Sequence, residues 1–206
     1  MVRIANLFVW SMVAACCVCL LTGCTEQRWQ EVLSPVAEVP AANIPTKLRQ
    51  TNWPDKYGSG SCVIASSCSV FEWSNRPDLA AKFRRSYAGG QTENSIKKKY
   101  RENGLQFLAP ERDNEYGDPG YLQWVSDTRR ACIIWYFENH CVTFCGFSRH
   151  NGQEVAWLLD NNRTQRFIPI EKTLFLREWR RYGGFCGVPL MTPAPPVPFQ
   201  GYEVSQ

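Results

Sequence analysis

The stretch Cys62 to Trp73 has apolar or small residues on nearly every side of a helix, and the Gly/Ser loop Tyr57-Gly58-Ser59-Gly60-Ser61 leads into it. A helix with one apolar stripe can lie on a surface, but one that is apolar nearly all round has to be enclosed. The chain must therefore wrap other elements around this helix, and the downstream sequence supplies them. Two more polar helices are expected near Asp78 to Tyr87 and Thr92 to Asn103, closed by Gly89-Gly90 and Gly104. A fourth is expected from Gly120 to Arg129. The character then changes. Ala131 to Phe137, Cys141 to Phe147 and Val155 to Leu159 are short, apolar and rich in aromatic or β-branched residues, as strands are. Asn151-Gly152 marks a hairpin turn between the last two. A last helix, Glu171 to Tyr182, stops at Gly183-Gly184 and feeds a short strand, Phe185 to Pro189. Helices first and an antiparallel sheet afterwards is the α+β order.

The ends of the 206-residue chain do not read as core. Residues 1–23 form a targeting segment, with an early Arg3 and an apolar run from Leu7 to Leu21 that is short for a membrane span. With Leu21-Thr22-Gly23-Cys24 it resembles a bacterial lipoprotein signal. That resemblance implies cleavage before Cys24, lipid on its sulfur, and an extracytoplasmic domain anchored in the cell envelope. Residues 24–49, with Pro35, Pro40 and Pro45, read as a flexible tether, and 191–206 as a Pro-rich tail, leaving one domain at 50–190. The net charge of +4 is mild, and the basic runs at Phe83-Arg84-Arg85 and Lys97-Lys98-Lys99 fall on helical patterns, so no nucleic-acid partner is expected. Beyond Cys24 lie Cys62, Cys68, Cys132, Cys141, Cys145 and Cys186. An exported setting permits disulfides without specifying their pairing. If Cys62 stays a thiol, at least one other cysteine is free as well, and a buried one suits that role.

Cys62 opens the enclosed helix, where unpaired backbone N–H groups favour a thiolate, and small residues before it let a substrate approach. A thiolate nucleophile needs a base, and the chain has two histidines. His150 belongs to the hairpin turn and reads as a solvated loop residue, whereas His140 opens a strand. The imidazole also needs an acceptor to orient it, and Asp160 or Asn161 ends the next strand. A strict two-residue turn at Asn151-Gly152 favours Asn161 on the histidine's face, while a longer loop or a bulge favours Asp160, the residue preferred here.

Gly60-Ser61-Cys62-Val63-Ile64-Ala65-Ser66 resembles the nucleophile segment of papain-like cysteine peptidases. His140-Cys141-Val142-Thr143-Phe144-Cys145-Gly146-Phe147 resembles their histidine strand, and Trp157-Leu158-Leu159-Asp160-Asn161 the strand carrying the third member. The short Cys-to-His interval is closest to the compact bacterial C39 peptidases. The resemblance implies a papain-like fold with a buried nucleophile helix on an antiparallel sheet. It also implies a Cys62-His140-Asp160 triad acting on a peptide or protein substrate without a cofactor. The family's oxyanion glutamine falls at Lys56 here, so Gln50, or Asn52, is the expected donor. Rival readings are a transglutaminase-like acyl transferase, a peptidoglycan hydrolase of the NlpC/P60 type that lacks the expected Asp-Cys-Ser motif, and an inactive papain fold kept as a peptide-binding module. A metal site of His140, Cys141, Cys145 and Cys132 is disfavoured because alternate residues of a strand face opposite ways.

Overall fold

The computed structural model describes residues 39–111 and 115–191 and the backbone of 202–204. The leader, Cys24 and the first part of the tether lie outside the described residues. Five helices are present among the described residues: α1 (Cys62–Trp73), α2 (Pro77–Ser86), α3 (Glu93–Glu102), α4 (Pro119–Asp127) and α5 (Lys172–Arg181). The strands are β1 (Gln106–Pro110), β2 (Cys132–Trp135), β3 (Cys141–His150), β4 (Gln153–Leu159), β5 (Ile168–Glu171), β6 (Cys186–Leu190) and β7 (Tyr202–Val204). They form one sheet in the order β5-β4-β3-β2-β6-β1-β7, with every neighbouring pair antiparallel. The chain is α+β.

Helix α1 is enclosed, as its pattern requires: Val63 through Phe71 are all buried. Val63, Ile64, Val70 and Phe71 share a core with Leu79, Ala80 and Phe83 of α2, Ile96 and Tyr100 of α3, and Ile133, Cys141 and Cys145 of the sheet. Burying serines in such a helix is costly unless their hydroxyls find partners. Ser67 Oγ lies 2.8 Å from both Val63 O and Tyr100 Oη, and Ser69 Oγ donates to Ala65 O at 3.2 Å while accepting the Gln50 N–H at 2.9 Å.

The opposite face of the sheet is covered too. Tyr121, Leu122 and Val125 of α4 and Phe175 and Trp179 of α5 pack on Ile134, Val142, Phe144, Ala156, Leu158 and Val188. Strands covered on both faces read as continuous apolar runs rather than alternating ones, which is why the central strands were easy to recognise.

The structure differs from the sequence expectations in several places. Helix α4 starts at Pro119, with Asp118 accepting the Gly120 N–H at 2.8 Å, because Asp-Pro supplies an N-cap and a first helical residue in succession. Strands β1 and β5 were not anticipated. The tail is not wholly outside the fold, since β7 pairs with β1 through Leu108↔Val204 and Pro110↔Tyr202. The domain also begins earlier than residue 50: Val39 onward belongs to the same compact unit, and Ala42 and Ile44 are fully buried. His150 closes β3 opposite Gln153 instead of sitting in the turn, and its ring meets Trp157 at 5.2 Å. All six described cysteines are free, five of them buried. No helix among the described residues is long and apolar enough to cross a membrane.

Candidate active site

The site begins at the first residue of α1. Ser61 occupies the N-cap position, but its side chain does not cap the helix: its Oγ accepts the Gly89 N–H at 2.8 Å, and its own N–H donates to Trp53 O at 2.9 Å. The first turn of α1 thus presents its N–H groups, with their partial positive charge, at the Cys62 sulfur. The preceding loop is fixed by a Pro54↔Gly60 bridge and by Asp55 Oδ1, which accepts N–H groups from Tyr57 and Ser59 at 2.8 Å each.

His140 ends the β2–β3 loop, which is closed by Tyr136 N–H donating to His140 O at 3.1 Å. Inside that loop Phe137 and Asn139 both adopt left-handed backbone, with φ of 62° and 52°. Asparagine tolerates this conformation; for phenylalanine it is an uncommon and costly one.

Asp160 reaches His140 because of a bulge in β3. The hairpin turn is the strict two-residue form, with His150 opposite Gln153, which by itself would set Asn161 on the histidine's face. Between Phe144 and Phe147, however, the register slips by one residue, so that Phe147 opposes Ala156 whereas Phe144 opposes Leu158. The slip exchanges the faces of everything beyond it. His140 Nε2 consequently lies 2.9 Å from Asp160 Oδ1. The same oxygen accepts the Asn162 N–H at 2.9 Å. Asn161 takes a different place: its Nδ2 lies 3.1 Å from Cys62 O, 2.9 Å from Ser66 Oγ and 2.7 Å from Cys141 O, pinning α1 to the histidine strand.

With Nε2 turned to Asp160, the other ring nitrogen, Nδ1, is left for Cys62, and the two side chains shift each other's titration toward the thiolate–imidazolium form. Burial pushes the Cys62 thiol up. Hydrogen bonds from His140 and the Cys141 N–H, the imidazolium charge and the Val63 N–H outweigh that burial and hold it below its ordinary value. Burial pulls the His140 imidazolium down, but Asp160 and Cys62 together raise it to about 9. Burial disfavours the Asp160 carboxylate, yet hydrogen bonds from His140 and Asn162 and the charges of His140 and Arg163 keep it below the usual carboxylate range. The other five described thiols behave in the opposite way. Burial raises Cys68 to about 12 and carries Cys132, Cys141, Cys145 and Cys186 well above their normal value. Cys62 is the described cysteine whose surroundings favour thiolate.

The dyad lies in a cleft of about 840 Å³ whose walls include Gly60, Trp135, Phe137 and Glu138. Gln50 does not join it. Its backbone N–H is tied to Ser69, two turns along α1 from Cys62, and its Oε1 accepts from Arg84 Nη1 at 3.4 Å. Asn52 comes closer, with its amide against Gly60 and Nδ2 donating to Asn162 Oδ1 at 3.0 Å. Among the described residues no group of three or more His, Cys, Asp or Glu side chains converges to hold a metal. Sequence reading missed the clamp by Asn161 and the wall at 135–138. The signal for the bulge was present in Gly146, a glycine inside an apolar strand. No protein-family model matches the chain, and neither a curated protein nor a solved structure does.

Proposed function

We propose that this chain is a cysteine hydrolase of papain-like type that cleaves peptide or isopeptide bonds. The observation that carries the reading is the 2.9 Å contact between His140 Nε2 and Asp160 Oδ1, made while the same ring faces Cys62 at the mouth of a cleft. A nucleophile, a base and a group orienting the base are thereby in line. Cys62 attacks the carbonyl carbon as thiolate, and the oxyanion that forms takes a hydrogen bond from the Cys62 N–H. Collapse of the tetrahedral species breaks the C–N bond, and the departing amine takes its proton from His140. Water then gives a proton to His140 and attacks the thioester carbon. Loss of the sulfur restores thiolate and imidazolium.

The charges set the pH dependence. Reactivity rises as Cys62 loses its proton on the acid side, and hydrolysis falls as His140 loses its proton near 9 on the alkaline side. Iodoacetamide labelling of Cys62 against pH tests the ion pair. Wild type should label with an apparent pKa well below the free-cysteine value of about 8.5. His140→Ala should lose that advantage, and Asp160→Ala should slow turnover more than labelling. Labelling at the free-cysteine pKa, unchanged by His140→Ala, would favour a peptide-binding module instead. The position of Gln50 outside the cleft gives that second reading its one specific support.

The leader's likeness to a lipoprotein signal supports anchoring through Cys24 in the cell envelope. The intact mass of membrane-extracted protein tests this: a lipidated Cys24 start agrees with it, and a retained Met1 overturns it.

A further inference from the structure

We propose that the cleft wall beside His140 is a subsite for a cationic side chain on the amine side of the scissile bond. Glu138 is its counter-ion, and Trp135 and Phe137 are its apolar flanks. The inference rests on the hydrolase reading, because the departing amine must meet His140 to receive its proton. The residue bearing that amine therefore passes along the loop that delivers His140, and that loop is 137–139.

Among the described residues, three formally charged side chains besides the dyad line the cleft: Glu93, Glu138 and Arg181. Two are already engaged. Glu93 is paired with Lys97 at 2.8 Å and accepts from Tyr116 Oη, and Arg181 is paired at 2.7 Å with Glu178, which Arg177 shares at 3.3 Å. Glu138 is exposed and has neither an ion pair nor a hydrogen bond among the described residues. Its carboxylate is the uncommitted charge of the cleft, and it stands two residues from the base. The flanks suit the stem of a Lys or Arg. Trp135 is half-buried and stacked on Phe185 at a ring separation of 4.8 Å, and Phe137 remains 38 % exposed. Aliphatic stems lie well along such rings, while an ammonium or guanidinium head gains from the ring faces and from the carboxylate. The left-handed backbone at Phe137 and Asn139 flanks Glu138, and Phe137 lines the cleft. An anionic side chain in the same place would face Glu138 directly and be disfavoured.

The charge preference can be read on Cys62 itself. The labelling rates of Cys62 by cationic 2-aminoethyl methanethiosulfonate and by neutral methyl methanethiosulfonate are compared by peptide mapping of the intact chain. Glu138→Gln should lower the cationic-to-neutral ratio by about threefold or more, as expected for one charge removed at cleft distances in partly solvated surroundings. Glu138→Lys should lower it further. A ratio unchanged in both variants overturns the subsite. Separately, wild type, Cys62→Ser and Glu138→Gln are incubated with a mixture of random-sequence peptides and the new amino termini are sequenced. Lys and Arg should be enriched at the termini made by wild type and not at those made by Glu138→Gln. Cleavage without that enrichment also overturns the subsite. If wild type makes no termini that Cys62→Ser lacks, the hydrolase reading fails, and the reagent ratio alone decides whether the wall selects cations.

Discussion

At the scale of single residues, the geometry of the candidate site depends as much on Asn161 as on Cys62, His140 and Asp160. One amide nitrogen serves acceptors on α1 and β3, and the Asn161 side chain is buried with Oδ1 unpartnered. Only the donor end is used, so the position calls for an amide and not a carboxylate. Asn161→Ala leaves buried carbonyls of Cys62 and Cys141 without that partner and should cost about 2–3 kcal/mol, read as a lower urea midpoint. Asn161→Asp should cost more, because it sets an anion against two carbonyl oxygens. If both variants unfold at the wild-type midpoint, the clamp has no structural weight. Identities alone made Cys62 and His140 legible as candidates, since one opens the enclosed helix and the other had a single competitor. The roles of Asp160 and Asn161 were not legible in the same way. Both can orient an imidazole, and their separation is a matter of strand parity, which a sequence window does not contain.

At the scale of elements, parity is decided by the bulge in β3, and the bulge is held from outside the sheet. Cys145 O, displaced from the ladder, accepts the Ala42 N–H at 2.8 Å, and the Phe147 N–H donates to Ser126 Oγ at 2.8 Å. Gly146 has φ of 106°, and a Cβ there would lie 2.5 Å from Ala41 Cβ. Gly146→Ala should therefore destabilise by about 2–4 kcal/mol through backbone strain and overpacking. It should also weaken the low-pKa labelling of Cys62, because the register that faces Asp160 toward His140 starts at this residue. Gly152→Ala is the matched control. Its φ is also positive, at 78°, but the space around it is open, so about 1 kcal/mol is expected with no effect on labelling. Equal effects of the two substitutions on labelling would detach the bulge from the site. The helices and central strands were readable from period and capping. Strands β1 and β5 were not: β1 is a short run without alternation, and β5 alternates over only four residues with Pro169 inside it, which argues locally against a strand.

At the scale of the whole molecule, residues 39–49 change from tether to part of the fold. Their prolines and small polar residues have the composition of a linker, and nothing local reveals that Ala42 and Ile44 find a pocket. What they cover is specific. Ala42 satisfies the bulge carbonyl, and Arg49 gathers distant parts of the chain: its Nε donates to Ile44 O at 2.9 Å, its Nη1 to Thr164 O at 2.8 Å, and its guanidinium lies 4.2 Å from the Phe167 ring centre. This path leads from residues 42–49 to the 160s loop that starts at Asp160. A variant beginning at Gln50 loses one fully buried isoleucine, a buried hydrogen bond and the Arg49 contacts. Compared with a variant beginning at Val39, it should be less stable by about 3–5 kcal/mol, judged from the burial of one large apolar side chain and two or three hydrogen bonds. The same comparison should show Cys62 labelling move toward the free-cysteine pKa, because the bulge loses its outer partner and the Asp160 loop its tie. Urea midpoints and labelling curves for the two variants supply the test. Coincident midpoints would return residues 39–49 to the role of a tether, and a stability loss with unchanged labelling would confine their role to packing.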